Sequence, residues 1–342
     1  MKLSINPKRI GSPRQTITTI WLIGLFSLVS VFASAQSGIL SVWGSNTNGQ
    51  LGNGTITNSN TPSALTSLSG ITQVAGGGLH TLAIKSDGTV LAWGGNSYGQ
   101  LGDKTNTERH TPVKVSGLSG IVQVAAGYNH SLAVKSDGTV WTWGNNDNGQ
   151  LGDGSQNNRA TAAQIPNFTG VVQVAGSAYH SLAVKGDGTV WAWGDNSTAE
   201  LGDGTHNRRL SPVQVVGITG AVQASAGQNF SFALKSDGTL WAWGFNGYGQ
   251  LGDGTTTDRT TAVQITALSG VVQVIANNSV QSGSRSSFAV LSDGTVWGWG
   301  ANENGQLGDG TNTERHLPVM VLGLTNVVQV SRGGLYHSLA LM

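Results

Sequence analysis

Four histidines, His80, His130, His180 and His337, fall at matching points of a recurring segment, and Phe230 stands at the fifth such point. Regularly spaced histidines suggest a transition-metal site, in which every ligating nitrogen sits about 2 Å from one shared ion. A spacing of 50 residues, as between His80, His130 and His180, puts them in separate units and spreads them apart. Phenylalanine can replace a packing histidine but cannot ligate. The expectation is a buried histidine donating to a backbone carbonyl, and no metal. The loops Asn53-Gly54, Asp153-Gly154, Asp203-Gly204, Asp253-Gly254 and Asp309-Gly310 raise the question of Ca²⁺. A calcium ion takes about six to eight oxygens, whereas each loop brings about one carboxylate, and Asp103-Lys104 breaks the pattern. Asx turns that satisfy the local backbone are the better account.

Nucleophilic chemistry has no sequence support. Gly-x-Ser-x-Gly and His-Glu-x-x-His are absent, and so are cysteines. Gly76-Gly77-Gly78 follows a strand-like run but opens no helix, so it makes a poor phosphate cradle. No catalytic residue, cofactor or metal is assigned.

The elements that carry these residues are short strands. In one unit, Ile121–Ala125 is β-rich, His130–Val134 alternates small or polar with apolar, and Thr139–Trp143 follows Ser136-Asp137-Gly138. Asp-Gly between two alternating runs signals a hairpin, with both turn residues expected at positive φ. The pair recurs at Asp87-Gly88, Asp187-Gly188, Asp237-Gly238 and Asp293-Gly294. A weaker fourth run such as Thr111–Val115 contains Pro112, which suits an edge strand. Trp43, Trp93, Trp143, Trp193, Trp243 and Trp299 mark six units, the first five at 50-residue intervals. Three or four short strands per unit of this length fit a propeller blade. Trp141/Trp143, Trp191/Trp193, Trp241/Trp243 and Trp297/Trp299 put two indoles on one strand face, as mortar between blades. Leu91 replaces the first of the pair in one unit, which suits packing better than sugar stacking.

The fold expected is all-β: a propeller of six blades closed by pairing its N- and C-terminal strands. His337–Met342 is a first hairpin strand without a partner, and Gly38–Gly44 a second hairpin strand without a first. Each supplies what the other lacks, and pairing them removes two exposed edges.

The cassette Trp143-Gly144-Asn145-Asn146-Asp147-Asn148-Gly149-Gln150-Leu151-Gly152-Asp153-Gly154 is repeated along the chain. With the Val-Gln-Val-Ala-x-Gly-x-x-His-Ser-Leu-Ala run, it resembles the regulator-of-chromosome-condensation repeat family over about residues 38–342. The resemblance implies a β-propeller, usually of seven blades, so six units mean either a six-bladed ring or a seven-bladed plan short by one. The family's namesake is a nucleotide-exchange factor for a small GTPase, while other relatives are photoreceptors, ligase modules and secreted inhibitors of β-lactamases. No segment here matches the exchange loops residue by residue. Such a fold specifies function weakly.

Residues 1–35 form a separate signal. Lys2, Lys8, Arg9 and Arg14 precede an apolar run from Ile17 to Phe32, and Ala33-Ser34-Ala35 offers a cleavage site before Gln36. The run falls short of the roughly 20 residues a membrane span needs. An uncleaved anchor is the alternative, and lipid attachment lacks its cysteine. The expectation is an exported chain, secreted or periplasmic, with residues 36–342 forming one propeller. Those four basic residues belong to a total of 18 against 17 acidic ones, so the remainder is net acidic. That disfavours nucleic acid and anionic membranes as partners.

Function should lie where the units differ. A six-residue insertion falls within Ala276–Ser287, in the loop that elsewhere carries Tyr128-Asn129, Ala178-Tyr179, Gln228-Asn229 and Leu335-Tyr336. A second variable set follows each Trp-Gly, with Tyr98, Asp147, Thr198, Phe245, Tyr248 and Glu303, on the same face or another. Tyrosine and arginine dominate binding hot spots. The candidate partner-binding residues are therefore Tyr98, Tyr128, Asn129, Tyr179, Asn229, Tyr248, Arg285 and Tyr336. The expected function is a monomeric, non-catalytic module that binds a protein, or alternatively a cell-surface glycan. The competing readings are a secreted hydrolase or lyase with a site in the central channel, and a structural or adhesive envelope component. Nucleotide exchange is the remotest.

Overall fold

The computed structural model describes residues 40–277, 285–332 and 338–342, all β-strand, turn and loop. The sequence-predicted leader over residues 1–35 lies outside the described residues. The described residues begin with a two-stranded sheet, β1 (Ser41–Gly44) and β2 (Ser59–Ala64). Five four-stranded antiparallel sheets follow in strict sequence order. The first holds β3 (Ile71–Gly76), β4 (His80–Lys85), β5 (Val90–Gly94) and β6 (Arg109–Lys114); the second holds β7 (Ile121–Ala126), β8 (His130–Lys135), β9 (Val140–Gly144) and β10 (Arg159–Gln164). The third holds β11 (Val171–Gly176), β12 (His180–Lys185), β13 (Val190–Gly194) and β14 (Arg209–Gln214). The fourth holds β15 (Ala221–Ala226), β16 (Phe230–Lys235), β17 (Leu240–Gly244) and β18 (Arg259–Gln264). The fifth holds β19 (Val271–Ala276), β20 (Ser286–Leu291), β21 (Val296–Gly300) and β22 (Arg315–Met320), and β23 (Gln329–Arg332) with β24 (Ser338–Leu341) ends the chain as a pair.

These are propeller blades. The first strand of each lines a cavity of about 320 Å³, walled by Ala75, Val124, Val174, Ala224 and Ile275 among others. The fourth, with its proline or polar residues, is the outer edge, as Pro112 in β6 indicates. The hairpin between second and third strands differs from the sequence expectation. Gly88 and Gly138 have φ of +76° and +78°, but Asp87 and Asp137 are not at positive φ. Gly88 N–H donates to Lys85 O and Lys85 N–H to Thr89 O, at 2.9 Å each. One glycine therefore suffices, and the aspartate instead accepts from Thr89 N–H at 2.9 Å.

The core lies between blades, not within them. One cluster joins Leu182, Val184, Val190, Ala192 and Leu201 of the third blade to Ala224, Ala233 and Trp243 of the fourth. Trp93, Trp143, Trp193, Trp243 and Trp299 are completely buried in such junctions. At about 150–250 Å² each, an indole contributes roughly 4–6 kcal/mol as an upper bound. Each also donates Nε1–H to a carbonyl of the preceding blade, as Trp143 does to Gln100 O at 2.8 Å. At the channel wall, Gln123 Nε2 donates to Val174 O at 3.2 Å and Gln123 Oε1 accepts from Val174 N–H at 2.8 Å. This amide acts as a rung between inner strands that share no ladder, and Gln73, Gln173 and Gln223 repeat it.

β1–β2 corresponds to the third and fourth strands of the repeat and β23–β24 to the first and second, and the two pairs form separate two-stranded sheets. Among the described residues no ladder joins β24 to β1.

Within each blade the Asx turns expected from the sequence are present, and a polar hub is built around them. Asn146, fully buried, donates to Asp153 Oδ1 at 3.2 Å and Ser155 O at 3.0 Å, and accepts from Leu151 N–H at 2.9 Å. Asp153 Oδ1 in turn accepts from Ser155 N–H at 3.0 Å, and Arg159 pairs with its other oxygen at 3.1 Å. Burial opposes ionisation of the equivalent Asp309, yet hydrogen bonds from Arg315 and Thr311 outweigh it and hold its pKa at about 2. The carboxylate of each loop is thus consumed by its own arginine and threonine or serine. Lys104, where other blades have glycine, sits at φ +71° with its side chain exposed. Replacing it with glycine is expected to raise the unfolding free energy by about 0.5–1 kcal/mol, because relief of left-handed strain exceeds the added freedom of the unfolded chain. A lowered denaturation midpoint would show that Lys104 makes a contact outweighing its strain.

Candidate recognition face

The two variable loop sets emerge together on one face. Asn145 N–H donates to Asn129 O, Asp195 N–H to Tyr179 O and Phe245 N–H to Asn229 O, each at 2.9 Å. Ala301 N–H repeats the contact with Arg285 O at 3.0 Å. These bonds tie the loop after each third strand to the loop before each second strand. The turn is possible because the residue after the tryptophan is glycine: Gly144 has φ +101°, and a Cβ there would lie 2.6 Å from Asn129 O.

On this face Arg285 packs over two aromatic rings, its guanidinium carbon 5.0 Å from the centroids of both Phe245 and Tyr248. Phe245 and Tyr248 meet edge-on at 6.2 Å. The structure therefore joins two of the sequence-predicted residues, from neighbouring blades, and adds Phe245. All three are half-buried. The Arg285 Nε is buried without a hydrogen-bond partner among the described residues, as are Asn129 Oδ1, Gln228 Oε1 and Asn229 Oδ1. Tyr179 is 39% exposed. Tyr128 is half-buried with its ring laid on the Gly78 backbone, where a Cβ would approach it to 2.3 Å, so it packs the junction as well as facing the loops. Tyr98 is half-buried, in its own blade's loop. Tyr336 lies outside the described residues.

His80, His130 and His180 are buried, but their partner is not the backbone carbonyl expected from the sequence; His337 lies outside the described residues. His80 Nε2 meets Ser131 Oγ, His130 Nε2 meets Ser181 Oγ and His180 Nε2 meets Ser231 Oγ, all at 2.9 Å and all in the next blade. Ser131 Oγ–H donates to Gln100 O at 2.9 Å, so its oxygen accepts and His80 carries its proton on Nε2. A hydroxyl on the second strand of the next blade takes the place expected of a carbonyl. Desolvation lowers the pKa of His80 to about 4 and those of His130 and His180 to about 3, the other rings adding repulsion at His130.

Glu200 carries a signal that sequence reading passed over. It stands where other blades have glutamine, follows Ala199 at φ +64° in place of glycine, and is 1% exposed. Its carboxylate accepts from Thr198 N–H at 2.8 Å and Thr198 Oγ–H at 2.9 Å. Burial, reinforced by Asp195, raises its pKa to about 7. These perturbed groups all sit inside blade junctions. The channel cavity is lined by alanine, valine, isoleucine, glycine, serine and glutamine among the described residues.

Sequence models for the regulator of chromosome condensation (RCC1) repeat match residues 37–84, 87–134, 137–184, 187–234, 237–290 and 293–341. The chain belongs to this repeat family, as an all-β propeller-type protein. It is 42% identical over 65 residues to the mitochondrial RCC1 domain-containing protein RUG3 of Arabidopsis thaliana, covering 18% of this chain and 14% of that protein. It is 41% identical over 66 residues to human Protein RCC2, covering 18% of this chain and 13% of that one. The matches span only a small part of those relatives. Among solved structures it resembles human WBSCR16, with a TM-score of 0.77 and 27% identity over 88% of this chain and 80% of that one. Prp20p from Saccharomyces cerevisiae, described with its binding to Gsp1p and histones, gives a TM-score of 0.78 at 26% identity, covering 90% and 79%.

Proposed function

We propose that this protein is an exported, non-catalytic recognition module that holds a protein partner on its loop face, centred on Phe245, Tyr248 and Arg285. The observation that carries the reading is the arginine packed over two aromatic rings, on a face where four buried polar atoms have no hydrogen-bond partner among the described residues. A rigid aromatic pair with a fixed guanidinium is the composition of an interface anchor. Support comes also from the relatives, since Prp20p is described as binding proteins. Export rests on the basic and apolar leader before Gln36.

The test compares immobilised residues 36–342 with a Tyr248→Ala, Arg285→Ala double variant against culture-medium and cell-envelope fractions. Loss of two anchors is expected to weaken retention of the partner at least about tenfold, while Tyr179→Ala leaves the melting temperature within about 2 °C. Retention unchanged in the double variant would remove the site. Capture abolished by glycosidase treatment of the fractions would replace the protein partner by a glycan.

A further inference from the structure

Strand pairing fixes which residues of the blades correspond. His80, His130, His180, Phe230 and Ser286 open the second strands, each opposite the glycine that closes the third. The residue just before them is Leu79, Asn129, Tyr179, Asn229 and, in the fifth blade, Arg285, the one charge in that column. The residue just after those glycines is Gly95, Asn145, Asp195, Ala301 and, in the fourth blade, Phe245, the one aromatic. The cation and the ring thus come from adjoining units, and they meet where those units join.

Other arginines are consumed internally. Arg109, Arg159, Arg209, Arg259 and Arg315 each pair with the aspartate of their own hub at 2.6–3.1 Å, and Arg208 approaches Asp195 at 3.9 Å. Arg285 has no ion-pair partner among the described residues, and its Nε makes no hydrogen bond to them. Residues 245–303 carry four carboxylates, and none of them pairs with it. Asp253 is held by Arg259, Asp258 accepts from Asn246 N–H at 2.7 Å, and Asp293 accepts from Thr295 N–H at 2.9 Å. Glu303 is exposed in its own loop. The sequence of residues 278–284, just before Arg285, contains no acid.

We propose that Arg285 receives a side-chain carboxylate, from an aspartate or glutamate of the protein partner, while Phe245 and Tyr248 hold the guanidinium in place. This rests on the loop face being the recognition surface and adds the chemistry that the face selects. Aromatic rings occupy the flat sides of a guanidinium without using its N–H groups, and the planar fork of those groups matches the two oxygens of a carboxylate. The rings also keep water from one side, which strengthens the pair over one formed on an open rim. Arg285 is restrained before the partner arrives, so little side-chain freedom is lost on binding. Residues 36–342 are net acidic, so a carboxylate is welcomed at this place and repelled by the general surface, which favours a single register.

Random peptides displayed on phage and panned over the immobilised full chain test the pairing. Enriched peptides are expected to share an aspartate or glutamate, and exchanging it for asparagine or glutamine is expected to weaken binding at least about tenfold. The exchange is made on the peptide, so this result does not depend on the folding of a variant. On Arg285→Ala the same exchange is expected to change binding by less than about twofold. Arg285→Lys, which keeps the charge without the fork, is expected to recover only part of the preference. Added salt is expected to weaken the acidic peptide and to spare its amide counterpart. Enriched peptides that lack an acid yet still need Tyr248 would overturn the carboxylate and leave the recognition face standing. Acidic peptides indifferent to Arg285→Ala would overturn it as well. Peptides indifferent to both Tyr248→Ala and Arg285→Ala would remove the face itself, and the proposal with it.

Discussion

Acidification from pH 7.5 to 5 is expected to cost the folded protein on the order of 6 kcal/mol through three buried histidines. His80, His130 and His180 have folded-state pKa values of about 4, 3 and 3, against an ordinary value of 6.5. The sign follows from the depression. Above pH 6.5 the rings are neutral in both states, and their full contribution is present. Below it the unfolded chain takes up protons that the fold refuses, so stability falls until the folded rings titrate near pH 4 to 3. At pH 5 each ring costs about 2 kcal/mol. Nε2 already donates to a serine whose hydroxyl is committed to a carbonyl. An added proton must therefore go to Nδ1, which in His80 and His130 is buried with no hydrogen-bond partner among the described residues. Urea denaturation midpoints across this range measure the effect, best in a Glu200→Gln background that removes an opposing titration. A midpoint flat between pH 7.5 and 5 would mean that the histidines are solvated or pair with an anion.

Glu200→Gln is expected to stabilise the protein by on the order of 3 kcal/mol at pH 8 and to change little at pH 4. Burial and Asp195 raise the folded pKa to about 7, above the ordinary value of 4.5. A raised carboxyl pKa favours the fold fully below pH 4.5, where the group is protonated in both states. That advantage is lost as pH climbs through 7, because ionising the folded group requires a charge in a dry junction. Glutamine restores the neutral amide of Gln50, Gln100, Gln150, Gln250 and Gln306. The pH-dependent difference between the two proteins is the diagnostic. Equal stabilisation at pH 4 and 8 would show that packing, not charge, distinguishes them.

The histidines also show how far reading along the chain reaches. Their burial follows from phenylalanine at an equivalent position, but their partner is a serine 51 positions on, in another blade. The rungs made by Gln73, Gln123, Gln173 and Gln223 span the same separation. The asparagine–aspartate–arginine hubs have a sequence trace in the recurrence of Asn96, Asp103 and Arg109 in every full blade, but the turn residues alone do not show that the three side chains meet. Glu200 left one too, as the single acid in a column of glutamines.

Strand positions to within one or two residues, hairpin positions, six units and the packing role of Trp93, Trp143, Trp193, Trp243 and Trp299 were settled by the sequence itself, because period-two alternation and turn residues act within a few positions of each other. Tertiary structure alone decided that the two loop sets share a face, that Arg285 meets Phe245 and Tyr248 from a neighbouring blade, and which groups titrate abnormally. Those outcomes depend on how blades pack, and on the water that packing excludes, which no local pattern encodes.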